Sequence, residues 1–178
     1  MALVDLTEST IVDFIKFLIS KGANVKTADL QGNTPLHLMA TYTSKLSHQD
    51  RLLKENTERE EANIVAVIKL LLESGASLTA VNNDGETPFS LALKGSRIKI
   101  LDLLSDSVKI SENTKLLHDF KDYIFDDRYL DIFYKLLKRE EQNLTAKDFN
   151  SLDTKGFNVF LAYIKSWTKN YSNIYSKV

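Results

Sequence analysis

The residue types that most often carry chemistry are sparse in this sequence. Its three histidines are His37, His48 and His118. Imidazole is the usual proton shuttle or zinc ligand, but no two of the three have the spacing of a His-Glu-x-x-His helix, and the chain has no cysteine. Neither a metal centre nor a thiolate nucleophile is indicated. Asp126 with Asp127 and Glu140 with Glu141 are adjacent carboxylates, yet consecutive residues on a helix or turn point in different directions. They are expected to be turn and surface residues. Ser90 lacks the Gly-x-Ser-x-Gly setting of a hydrolase nucleophile. Gly22, Gly32, Gly75, Gly85 and Gly156 stand at recurring positions, which leaves Gly95 and no phosphate-cradling loop. The residues form no catalytic constellation, so the sequence reads as a non-enzyme with no metal and no cofactor.

At 178 residues the chain can bury a sizeable core as one domain or a short array of repeats. With 43% hydrophobic and 26% charged residues it is of globular composition. A formal net charge of -1 supplies no field to draw it onto nucleic acid or an anionic membrane. The start, "MALVDLTEST", does not read as a signal peptide, and the longest apolar run, "IVAVIKLLLESG", is broken by Lys69 and too short to span a bilayer. The expectation is an intracellular protein, cytoplasmic or nuclear, that does not insert into membranes.

The elements that position these residues emerge from an internal repeat. "FLISKGANVKTADLQGNTPLHLMA" aligns without a gap on "LLLESGASLTAVNNDGETPFSLAL" at a constant offset of 53. Each copy is an apolar-periodic helix ending at Gly22 or Gly75, a turn rich in Asx and Gly, then Thr-Pro opening a second helix. Pro35 and Pro88 occupy a first turn, where a missing N–H costs little, with Thr34 and Thr87 placed to cap it.

"GNTPLHLMA" and "GETPFSLAL", with "FLISKGANV" and "LLLESGASL", resemble the ankyrin repeat, whose hallmark is Gly-x-Thr-Pro-Leu-His and whose second helix closes in Leu-Leu-x-x-Gly-Ala. The resemblance covers residues 9 to 104 and implies an all-α solenoid of stacked helix-turn-helix units with short β-hairpin loops. It gives His37 a structural role, its imidazole bonding the backbone of a neighbouring loop.

An ankyrin period is about 33 residues, so the 53-residue offset leaves roughly twenty to place. Because the Gly-to-Gly loops match, the surplus falls between the two helices of one repeat, at 42–63, "YTSKLSHQDRLLKENTEREEAN". Thr57 with Glu60 reads as a capping box that starts the second helix near Glu58. Ser47 to Lys54 reads as a further short helix touching through Leu46, Leu52 and Leu53. Interspersed charges from Lys45 to Glu61 indicate a solvated face.

Beyond Asn82 the pattern decays. "SRIKILDLLSD" is a second helix without the closing Gly-Ala. Two amphipathic segments follow, one with Leu116, Leu117, Phe120 and Ile124, the other with Tyr129, Leu130, Phe133, Leu136 and Leu137, joined by a turn at Asp126-Asp127. "DTKGFNVFLAYI" restores the grammar but has Val159 in place of the proline and Leu161 in place of the histidine. The expected organisation is a single domain: a partial repeat at 5–28, a repeat with its insertion at 29–81, a third at 82–109, a divergent one at 110–150 and a degenerate or truncated one at 152–178. A repeat that starts and stops midway reads as a fragment of a larger protein.

What the resemblance implies is a protein-binding module, expected to be a monomer, that binds a protein or peptide through a concave surface of hairpin tips and first helices. Carried over, the contact positions are Leu30, Gln31, Asn33, Asn83, Asp84, Glu86, Lys155 and Phe157 on the hairpins. Leu38, Thr41, Tyr42, Leu91 and Lys94 are those on the first helices. Leu18, Leu36, Leu71, Phe89 and Leu104 are expected in the core. Tyr163, Trp167, Tyr171 and Tyr175 recur every fourth residue and would share one face of a continuous helix, either as core or as an aromatic binding groove. The alternative function is a targeting or regulatory array of a multidomain enzyme such as a transferase, or a bacterial secreted effector.

Overall fold

The computed structural model describes residues 9–42, 54–110, 115–120, 123 and 126–150, and every regular element among them is helical. The hairpins expected at Asp29 and Asn82 are closed turns without a strand ladder, each shut by the bond from Asp29 N–H to Asn33 O or from Asn82 N–H to Glu86 O, both 3.0 Å. The chain divides into two compact units, Met1–Gly95 and Ser96–Val178. The division falls inside the span 82–109 read as one repeat.

In the first unit, α1 (Ser9–Ser20) and α3 (Lys54–Glu73) end identically. Ala23 N–H bonds to Leu18 O and Gly22 N–H to Ile19 O; Ala76 N–H bonds to Leu71 O and Gly75 N–H to Leu72 O. That is the Schellman closure, and it satisfies carbonyls the helix end would otherwise leave bare. Short helices α2 (Pro35–Thr41) and α4 (Pro88–Lys94) each start at the Thr-Pro step. Helix α1 packs on α3, α2 on α4, and α2 also on α3. Like elements of successive repeats are therefore stacked on one another. Leu36, Ile68, Phe89 and Leu93 are at the centre, fully buried, with Val67, Leu71, Ala40 and Ala92 around them. Burying each large side chain contributes about 1.5–3 kcal/mol.

Two expectations for this unit are corrected. Leu18 is not core: it is 40% exposed. The capping box at Thr57 does not start the helix, because α3 already runs from Lys54 through Thr57. The sequence "KENTEREE" is mostly good helix formers, so the helix continues across the local start signal. Part of the surplus is thereby absorbed as extra turns of α3. Of the short helix read at Ser47 to Lys54, only Lys54 lies among the described residues, and it belongs to α3.

In the second unit, α5 (Ile98–Ser105) packs against α7 (Asp127–Arg139), with α6 (Lys115–Phe120) and α8 (Ala146–Asn150) completing the described helices. Leu101, Leu104, Ile110, Leu116, Phe120 and Leu136 are fully buried, and the Phe120 and Phe133 rings lie 4.9 Å apart. Asp126 caps α7, accepting from Arg128 N–H at 3.0 Å. Its carboxyl is held below the ordinary Asp value, chiefly by the Arg128 side chain bonded to it.

The reading of Glu140 as a surface residue is overturned, since it is almost fully buried. Its Oε1 accepts from Ile110 N–H at 2.9 Å and from Arg139 Nη2 at 3.2 Å. Arg139 also donates to the carbonyls of Ser105 and Val108. Where α5 lacks the closing Gly-Ala, a guanidinium from α7 bonds its last carbonyl, that of Ser105, and the Val108 carbonyl just beyond it. Lys135 adds a second link, 2.9 Å from Asp102 and 2.8 Å from Asp106.

Candidate functional site

The hairpin tips and first helices of the first unit form one bonded frame. Asp29 Oδ1 accepts from Gln31 N–H at 2.9 Å and Asn33 N–H at 2.8 Å. In the next copy Asn82 Oδ1 accepts from Asp84 N–H at 3.1 Å and Glu86 N–H at 2.9 Å. Both are Asx turns, in which a short side chain substitutes for backbone. An amide also has a donor, and Asn82 Nδ2 gives it to Asn33 Oδ1 at 2.9 Å. Asn83 completes the join: its N–H donates to Gln31 O and its Nδ2 to Leu30 O, each at 3.0 Å.

Gly32 sits where the two tips meet. It has φ +78, and a Cβ there would lie 2.8 Å from Asn83 Oδ1 and 2.9 Å from Asn83 N. Contacts that short force a shift of the backbone, so only glycine allows the hairpins to approach this closely.

His37 ties the frame to the helices. Thr34 N–H donates to its Nδ1 at 3.1 Å, so the neutral ring carries its hydrogen on Nε2, which donates to Glu86 O at 3.0 Å. The ring is fully buried and bonded at both nitrogens, the strut the family resemblance implies. Ser90, its counterpart, caps in the same way: Thr87 N–H donates to Ser90 Oγ at 2.8 Å and Ser90 N–H to Thr87 Oγ1 at 3.1 Å. The Ser90 hydroxyl then donates to Glu86 Oε2 at 2.9 Å, while Lys94 pairs with Glu86 Oε1.

The contact positions carried over from the sequence fall into two groups. Leu30 is 92% exposed and Leu38 52% exposed. Gln31, Thr41, Asn83, Asp84 and Lys94 are exposed too, although Asn83 and Lys94 also hold the frame. Asn33, Glu86, Leu91 and Tyr42 are half-buried, and the first two spend their side-chain oxygens inside the frame. Tyr42 lies just past α2, and its hydroxyl donates to Glu60 Oε1 on α3 at 2.9 Å. That bond, then burial and the Glu60 charge, raise the Tyr42 pKa above its ordinary value. Lys155, Phe157 and the stripe Tyr163, Trp167, Tyr171 and Tyr175 lie outside the described residues. The sequence reading places Asn82 at the head of a turn without its bond to Asn33, and it does not name Val81, exposed beside it.

Among the described residues no cluster of His, Asp or Glu could hold a metal ion, and no helix is long and apolar enough to cross a membrane.

The family described as ankyrin repeats (many copies) matches residues 61–104. The chain is 32% identical to an ankyrin repeat protein of fowlpox virus over 103 residues, 57% of this chain and 19% of that protein. It is 28% identical over 116 residues, 61% of this chain and 44% of the relative, to one of Rickettsia felis. With one of Acanthamoeba polyphaga mimivirus it shares 26% over 110 residues, 62% of this chain and 12% of the relative. The chain thus spans less than half the length of each of these relatives.

Proposed function

We propose that this chain, whose residues 61–104 match the ankyrin-repeat family, is a non-enzymatic interaction module whose protein or peptide partner seats along the hairpin tips and first helices of residues 29–41 and 82–94. Ankyrin repeats in general bind proteins, and the strip offered here has two exposed leucines, Leu30 and Leu38, on a frame whose polar groups bond to one another. A surface held in place before binding loses little entropy on association. The observation that carries the reading is Leu30: a large apolar side chain, 92% exposed, on a turn whose own carbonyl is fixed by Asn83. Such a side chain serves no core and suits a contact with a partner's apolar group, with Gln31, Thr41 and Asp84 as its polar surround. The cysteine-free composition supports a setting inside a cell, cytoplasmic or nuclear.

Proximity labelling of the intact chain, compared with Leu30→Ala/Leu38→Ala and with a chain lacking residues 43–53, tests this. Loss of the same captured proteins in the double variant, with its melting temperature unchanged, supports the strip. Retention of all of them there, with loss in the shortened chain, moves the contact to the insertion and refutes the assignment.

A further inference from the structure

The ring of His37 is fully buried, and each of its nitrogens has a single role in the fold. Nδ1 is the acceptor: Thr34 N–H donates to it at 3.1 Å, and Thr34 Oγ1 stands 2.8 Å away. Nε2 carries the hydrogen and donates to Glu86 O at 3.0 Å. An imidazole that takes up a proton is a donor at both nitrogens. The added hydrogen lies on Nδ1, where it meets the Thr34 N–H, and two donors cannot share that gap. Nε2 is a donor in either form, so the bond to Glu86 O survives. The Thr34 hydroxyl can rotate and turn a lone pair toward the new hydrogen, but Thr34 N–H is left without its acceptor. Protonation therefore removes the cap of α2 and keeps the strut to the next repeat. In the second copy the same place belongs to Ser90, whose hydroxyl accepts from Thr87 N–H at 2.8 Å and does not change charge between about pH 5 and about pH 8.

The charged groups of the elements packed around this joint bond elsewhere. Glu86 turns its carboxylate to the Ser90 hydroxyl and to Lys94. On α3, Glu60 reaches the end of α2 and accepts from Tyr42. Asp29, in the ring's own hairpin, accepts from the N–H groups of Gln31 and Asn33, and Asp84 of the next tip is exposed. We propose that His37 is a pH-sensitive pin in the first hairpin. Neutral, it caps α2 and closes the tip. Protonated, it releases Thr34 N–H and loosens the start of α2, between Leu30 and Leu38, while the second copy keeps its cap. Imidazole is the side chain whose charge changes between about pH 5 and about pH 8, so mild acid acts on one half of the strip and spares the other. The pin is a property of the fold and holds whether or not the strip binds a partner.

Nuclear magnetic resonance of the 178-residue chain, taken from about pH 8 to about pH 5, reads the pin directly. The ring nitrogen shifts of His37 report which nitrogens carry hydrogen, and amide exchange of Thr34 relative to Thr87 reports the cap, with the second copy as the internal reference. The expected result is a ring that gains its second hydrogen within this range, with the protection of Thr34 relative to Thr87 falling about fivefold, the worth of a cap. In His37→Ser, with its fold checked by circular dichroism, that ratio should not change with pH. A His37 ring that keeps its hydrogen on Nε2 alone throughout the folded range overturns the proposal. So does a ring that gains the proton while the Thr34 ratio stays constant, or a chain that unfolds as a whole before the ring is charged. These readings come from the wild-type chain, so they decide the matter even where the variant does not fold.

Discussion

The segments 29–42 and 82–95 are the same backbone used twice, and they differ in what their side chains reach. Both open on an Asx turn, pass a left-handed glycine and start a helix at Thr-Pro. In the first, His37 caps its own helix and also crosses to Glu86 of the next repeat. In the second, Ser90 caps as well but is too short to cross, and its hydroxyl turns to Glu86 within the same repeat. The copies end differently too: Tyr42 is bonded to Glu60 at the start of the long connection, where Gly95 stands in the second. Local capping is thus common to both copies, whereas the bond between repeats depends on one longer side chain.

The comparison is broken most strongly at the glycines. Gly32→Ala places a methyl against Asn83 and should lose about 3 kcal/mol of stability in urea titration, from backbone strain plus overpacking. Gly85→Ala meets no atom of the described residues within 4 Å and should lose only the left-handed penalty of about 1 kcal/mol. Equal losses would show that the approach of the two tips is not what requires Gly32.

Next is His37→Ala, which leaves Thr34 N–H without its partner and removes one of the two bonds to Glu86 O, which still accepts from Asn82 N–H, and it should cost about 2 kcal/mol. His37→Ser imposes the second copy's chemistry on the first and should regain about 1 kcal/mol, the value of a cap. Full recovery would mean that the reach to Glu86 contributes nothing. Ser90→Ala loses its cap and the hydroxyl's bond to Glu86 Oε2 but no bond between repeats, and a drop of about 1 kcal/mol is expected.

The smallest effect is Tyr42→Phe, which deletes the bond to Glu60 at about 0.5–1 kcal/mol near neutrality. The folded state raises the Tyr42 pKa, so this stability is present below the ordinary tyrosine value of about 10 and fades as pH rises through the higher folded value. Wild type and variant should therefore converge in strongly alkaline urea titrations. A difference that persists there would assign the effect to packing of the ring.

Legibility followed the physics of each element. The Thr-Pro starts, the two Schellman ends and the 53-residue offset were readable because each rests on a residue whose own backbone preference fixes the local chain. Thr57 misled because a cap signal is local, while the helix around it is sustained by "KENTEREE" and by packing downstream. Leu18 misled for a different reason: an apolar period shows which residues share a helix face, not whether the fold covers that face, and Leu18 is 40% exposed. Of the candidate strip, Leu30 and Leu38 stand free as the sequence suggested, while Glu86, Asn33 and Tyr42 are engaged within the fold.

By itself the sequence determined the repeat, its helices and its turns, because capping, proline and glycine act over a few bonds. Which side chains join one repeat to the next was decided only in the tertiary structure. His37 to Glu86, Asn82 to Asn33, and Arg139 to the carbonyls of Ser105 and Val108 all connect residues at least 31 positions apart. Distance along the chain says nothing of such pairs until packing has brought them within hydrogen-bond reach.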